Sequence, residues 1–194
     1  QTFIDGERIG GYDDLREYLG KSRSQPEEGE TSYQPVLAIF GVALMLALAI
    51  SWYVFETVFT VQAAEWFVSL SMALLAIQKL QDLRSFSTMF LNYDLLARRW
   101  VRYGYIYPFG EALAGILMVA HVLPIISVPV AMFIGTVGAV SVFKAVYVDK
   151  RELKCACVGG NSNVPLGFVS LTENLFMIGM GLWMGAKALG FVAG

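Results

Sequence analysis

Val36 to Phe55 is a run of 20 residues without a charge. As a helix rising about 1.5 Å per residue it covers about 30 Å, the thickness of a bilayer's hydrocarbon core. A chain carrying such a run must satisfy every backbone N–H and C=O internally, because lipid offers no partner. Composition agrees. The 194 residues are 56% hydrophobic and only 15% charged, where soluble domains carry about 25% charge. The first 34 residues are polar and acidic-rich, so they do not read as a secretory leader. The chain opens on Gln1 and not on Met, which predicts that a piece precedes it.

Further apolar segments follow. Phe59 to Leu80 reads as a second span, less pure because it holds Gln62 and Glu65. Tyr107 to about Leu123 reads as a third, with Pro108 suited to a first helical turn. Pro124 and Pro129 predict a short turn before Val130 to Val148. Asn163 and Pro165 look like a cap and first position for a last span ending near Leu189, where Gly181 and Gly185 suit close helix contact. Between the second and third, Gln81 to Arg102 has mixed polarity, and Leu83, Phe86, Phe90, Tyr93 and Leu96 recur near helical spacing. That pattern predicts an amphipathic stretch on the membrane surface. The fold class expected is an all-α integral membrane bundle of four to five transmembrane helices from 35 to 194, after a linker at 21–34 rich in Pro, Gly, Ser and Glu.

The distribution of positive charge predicts an orientation. With five spans, all of the 14 Lys and Arg residues except Lys187 fall on one side. By the positive-inside rule the N-terminus and the 149–164 loop face the cytoplasm of a bacterial-type inner membrane, and the C-terminus lies outside.

That loop holds the only two cysteines, Cys155 and Cys157. Lys150, Arg151 and Lys154 beside them favour the thiolate, the reactive and metal-binding form. Gly159 and Gly160 let the backbone bend close to the sulfurs. A disulfide across one residue is strained and easily reduced, which suits a relay. The same two thiolates could grip a soft ion such as Cu(I) or Hg(II), and two inert loop cysteines are the third reading.

Glu111 and Glu173 lie within apolar segments, where ionisable groups are costly and are usually paired or functional. Lys79 and Lys144 end the second and fourth segments on the same side. The four predict either a buried Lys–Glu pairing that fixes helix register or a polar pocket under the cysteine loop. Glu65 and His121 read as interfacial residues of the opposite leaflet. The chain has no phosphate-binding glycine motif, no serine–histidine arrangement, no multi-ligand zinc pattern and no basic surface for nucleic acid.

Two resemblances add to this. Phe3-Ile4-Asp5-Gly6-Glu7-Arg8-Ile9-Gly10-Gly11-Tyr12-Asp13-Asp14-Leu15 reads as strand, turn, strand, turn and helix start. Residues 1–20 resemble the C-terminal part of glutaredoxins. The resemblance implies a small α/β fragment in which Gly11, Asp13 and Asp14 bind the γ-glutamyl end of glutathione. Lys79-Leu80-Gln81-Asp82-Leu83, Tyr93-Asp94-Leu95-Leu96 and Tyr107-Pro108-Phe109-Gly110-Glu111 look like the methylamine utilisation protein MauE and the related DoxX membrane proteins, over roughly 35–190. That resemblance implies a small helical bundle associated with thiol redox proteins.

The function expected is a membrane-embedded thiol–disulfide relay, a possible oxidoreductase, in which Cys155 and Cys157 exchange with glutathione or a glutaredoxin partner. The alternatives are a soft-metal transporter with the cysteines as ion-receiving site, and an assembly factor that holds a redox partner without turnover. Nothing in the sequence speaks to a quinone.

Overall fold

A computed structural model describes residues 2–4, 7–10, 18–19, 33–151, 153, 155–156 and 164–191. The chain divides into two compact units, Gln1–Thr31 and Ser32–Gly194.

In the first unit, β1 (Thr2–Ile4) and β2 (Glu7–Gly10) pair antiparallel, as the turn-forming Asp-Gly between them predicts. Ile4 faces Glu7 and Phe3 faces Arg8, and the register shifts beyond Phe3 so that Thr2 faces Gly10. The two strands form the whole sheet among the described residues. The expected glutaredoxin-like α/β fragment is therefore corrected. A two-strand hairpin is not an α/β layer, and an isolated hairpin has too little apolar surface to hold a fold. Gly11, Asp13 and Asp14, the expected glutathione residues, lie outside the described residues.

The second unit is all-helical. Its elements are α1 (Gln34–Phe55), α2 (Val61–Gln81), α3 (Leu83–Phe90), α4 (Val101–Val119), α5 (Pro124–Phe143) continued by a π-helical turn at Lys144–Val148, and α6 (Phe168–Ala188). α5 packs on α6, α2 on α4, α1 on α2, and α4 on α5. Three helices are long and apolar enough to cross a membrane: α1, α2, and α5 with its π turn. The expectation of four to five such spans is corrected. α4 and α6 have the length, at 19 and 21 residues. However, Arg102 and Glu111 in the one, and Glu173, Asn174 and Lys187 in the other, lower their hydropathy.

α1 shows how the bundle meets lipid. Its buried face is a row of small residues, Ala43, Ala47 and Ser51, while Leu37, Met45, Trp52 and Tyr53 point outward. Small residues let helix backbones approach, and in lipid the large apolar side chains need no burial. Ser51 pins the following turn, its Oγ 2.8 Å from both the Thr57 carbonyl and Thr60 Oγ1. Thr60 then caps α2 by accepting from Ala63 N at 2.9 Å.

Prolines mislead about the helix starts. α4 begins at Val101, so Pro108 lies inside it, and α5 begins at Pro124, so Pro129 is interior too. In lipid a helix tolerates the lost bond when its neighbours re-satisfy the backbone. Gln81 to Arg102 is not a surface strip. α3 and the turns after it bury Phe86, Phe90 and Tyr93 in the main core with Tyr103 and Tyr107 of α4. Gly181, as the spacing predicts, meets a neighbour closely. A Cβ there would stand 2.9 Å from the Met132 side chain of α5.

Candidate functional site

Three helices each send one charged side chain to a single point in the core. Lys79 comes from the last turn of α2, Glu111 from the middle of α4, and Glu173 from the second turn of α6. They are 1%, 0% and 4% exposed. Lys79 Nζ donates to Glu111 Oε1 at 2.8 Å and Oε2 at 2.6 Å, and to Glu173 Oε1 at 2.5 Å. The Tyr107 ring covers the same ammonium, its centroid 5.3 Å from Nζ, a cation–π contact that strengthens as water is excluded. Of the four supporting residues expected, Lys79, Glu111 and Glu173 are thus brought together. Lys144 is not: it is half-exposed and pairs with Asp149 at 2.7 Å.

The cysteine loop is the larger surprise. Cys155 is fully buried, 0% exposed. It lies in an apolar cluster with Val36 and Val164, against which Ile39, Phe40 and Val169 pack. Short ladder bonds hold it there: Cys155 N donates to Val164 O at 2.8 Å, and Leu166 N to Leu153 O at 2.7 Å. Its Sγ lies 2.9 Å from Ser170 Oγ. The expectation of a Cys-x-Cys thiol pair, exchanging between thiol and disulfide in a polar loop, is corrected. The described cysteine is buried against Ser170, Cys157 lies outside the described residues, and Arg151 is turned to the Asn92 carbonyl at 2.8 Å. Among the described residues no three His, Cys, Asp or Glu side chains gather as a metal site.

One helix joins the two features. Ser170, Glu173 and Asn174 stand at i, i+3 and i+4 on α6 and so share a face. Ser170 takes Cys155, and Glu173, about 4.5 Å further along the axis, takes Lys79. Asn174 Nδ2 closes the turn by donating to Ser170 O at 2.6 Å.

A second polar cluster occupies the other end of the bundle, about 21 Å away along α2 from Lys79. Glu65, expected at the interface, is buried. Its Oε1 accepts from Trp183 Nε1 at 2.6 Å and Lys187 Nζ at 2.9 Å, and its Oε2 lies 3.3 Å from His121 Nε2. His121 also hydrogen-bonds Gln62. Sequence reading set these residues apart because they lie on three segments far apart in the chain.

It also missed Asp94, in the turns between α3 and α4. Asp94 Oδ1 accepts from Leu96 N at 3.0 Å and Ala97 N at 2.8 Å. Burial pushes its carboxyl above its ordinary value, against the lowering effect of hydrogen bonds to Ala97, Ser141 and Leu96. The folded state therefore holds this proton more tightly than the unfolded chain. The contribution is fully present below the ordinary aspartate value and is lost as pH rises through the raised one. In detergent, the thermal midpoint of wild type should fall relative to that of Asp94→Asn over that interval and then run parallel. Parallel curves throughout would show that Asp94 titrates alike in both states.

The family described as methylamine utilisation protein MauE matches residues 57–187. No curated protein and no solved structure matches.

Proposed function

Since the chain belongs to the MauE family, which supports a general role in redox relay, we propose that it is a membrane-embedded relay component whose reacting group is the Cys155 thiol. The observation that carries this reading is the placement of Cys155 against Ser170, one helical turn from the Lys79–Glu111–Glu173 cluster. A thiol reacts through its thiolate, and its proton needs a nearby acceptor. A cluster with two carboxylates and one ammonium is rich in acceptor oxygens. The apolar wall around Cys155 keeps water from the sulfur. Lys150 and Arg151, shortly before Cys155 in the chain, fit a partner approaching from the positively charged, cytoplasmic side.

The test uses the full chain in nanodiscs with oxidised glutathione as probe. In the exchange, Cys155–SH and GSSG give the mixed disulfide Cys155–S–SG and GSH, breaking the glutathione S–S bond as the new one forms, with no other oxidant. Intact mass should show one glutathione adduct per chain in wild type and in Cys157→Ser, and none in Cys155→Ala. A wild-type chain that stays unmodified, or an adduct that survives in Cys155→Ala, sinks the reading.

A further inference from the structure

The buried polar groups of α4 lie along one line. Tyr103, Tyr107 and Glu111 stand at i, i+4 and i+8, at 3%, 4% and 0% exposure. They succeed one another over about 12 Å of helix axis.

At the inner end, Glu111 joins Lys79 and Glu173, two carboxylates around one ammonium. An unbalanced charge is strongly disfavoured where no water reaches, so the cluster becomes neutral by holding one proton between its carboxylates. At the outer end stands Asp94, fully buried, whose Oδ2 has no hydrogen bond among the described residues. Between them, Tyr103 Oη and Ser87 Oγ are likewise buried without a described partner.

Protein cores satisfy nearly all such atoms, so two of them between two acid sites, beside a bare Asp94 Oδ2, require a reason. The walls around them are tight. Gly104 brings α4 so close to α3 that a Cβ there would stand 2.8 Å from Ser87 Oγ. The Tyr103 and Tyr107 rings meet edge to face at 5.9 Å, with Phe90 against both. Among the described residues, charged or polar groups beside this line include Lys79 from α2, Glu173 from α6, Tyr93, which packs on Phe90, and Ser141 from α5, which accepts from Leu95 N at 3.0 Å.

We propose that Asp94, Tyr103 and Tyr107 form a proton route along α4, linking the 91–100 turn to the Lys79–Glu111–Glu173 cluster. Each hop forms one O–H bond and breaks another, and no electron moves. A hydroxyl can accept on a lone pair while donating its own hydrogen. The route goes beyond the thiol reading, because it concerns the proton held by the cluster whether or not Cys155 reacts.

Infrared spectroscopy of the full chain in nanodiscs, with glutamate carboxyls isotopically labelled, tests it. The protonated-carboxyl band of the cluster should be present in wild type. It should vanish in Glu173→Gln, which leaves Lys79 and Glu111 as a neutral pair. On transfer to heavy water the wild-type band should shift quickly. Tyr103→Phe keeps the ring and removes only Oη, and should slow the shift by an order of magnitude or more. Asp94→Asn should act in the same direction, and Tyr105→Phe, at an exposed position, should leave the rate unchanged. Backbone amide exchange equal to that of wild type shows that a variant is folded. A missing band, a band that persists in Glu173→Gln, or equal shift rates in folded Tyr103→Phe and wild type would overturn the proposal.

Discussion

Lys79→Met is expected to destabilise the helical bundle by about 3–5 kcal/mol, the cost of removing one partner from a buried ionic cluster. Methionine replaces the aliphatic stem closely, so packing changes little. What changes is that Glu111 and Glu173, both now held on Nζ, face each other with no cation between them. The ring of Tyr107 loses its cation as well. Glu173→Gln should be much milder, since it keeps the shape of the side chain and leaves Lys79 and Glu111 balanced. Thermal unfolding in detergent reads both. A Lys79→Met midpoint equal to that of wild type would mean that Lys79 does not balance a carboxylate charge in the cluster. Adding Glu111→Gln and Glu173→Gln to Lys79→Met should restore much of the loss, because the penalty lies in stranded charge and not in lost attraction.

Gly138→Ala is the second large effect, at about 1–3 kcal/mol, the usual cost of forcing a methyl group into a close-packed contact. A Cβ at Gly138 of α5 would overlap the Asn174 side-chain amide of α6. Asn174 cannot swing aside freely, because its Nδ2 is bonded to Ser170 O. At Gly135, one turn away, a Cβ would stand 3.1 Å from Asn174 O. α5 and α6 therefore meet nearly backbone to backbone, and the methyl group must move either Asn174 or the helix. Asn174→Ala in the same chain should recover part of the loss. A double-mutant cycle measures the coupling, and strict additivity would place the strain elsewhere. Because Asn174 neighbours Glu173 and lies one turn from Ser170, the glutathione adduct at Cys155 should also form at a changed rate in Gly138→Ala.

Much of the helical architecture was legible in the residues. An uncharged run such as Val36–Phe55 has one outcome in lipid, and a charge such as Glu173 inside an apolar segment must find an opposite charge. Helix limits were harder. Pro108 and Pro129 stop helices in water, yet here they sit inside α4 and α5, because a bundle in lipid keeps the helix and repairs the missing bond locally. The N-terminal hairpin is present where the turn residues put it, but a short match in turn chemistry does not carry a whole α/β fold with it. The tyrosine row of α4 was readable in principle from its i, i+4, i+8 spacing. It went unread because aromatic residues at that spacing also describe an ordinary core.

Sequence alone determined that this chain lies in a membrane, that it is helical there, and that its few intramembrane charges must pair. Periodicity and the cost of bare backbone in lipid suffice for that. Only the tertiary structure decided which charges meet. Lys79 chose Glu111 and Glu173 while Lys144 turned to Asp149, and Glu65 joined Lys187 and His121 at the far end. It also decided that Cys155 leaves the polar loop for an apolar pocket beside Ser170. Such pairings depend on the rotation and depth at which helices pack, and those follow from small residues such as Gly135 and Gly138, whose effect exists only once two helices touch.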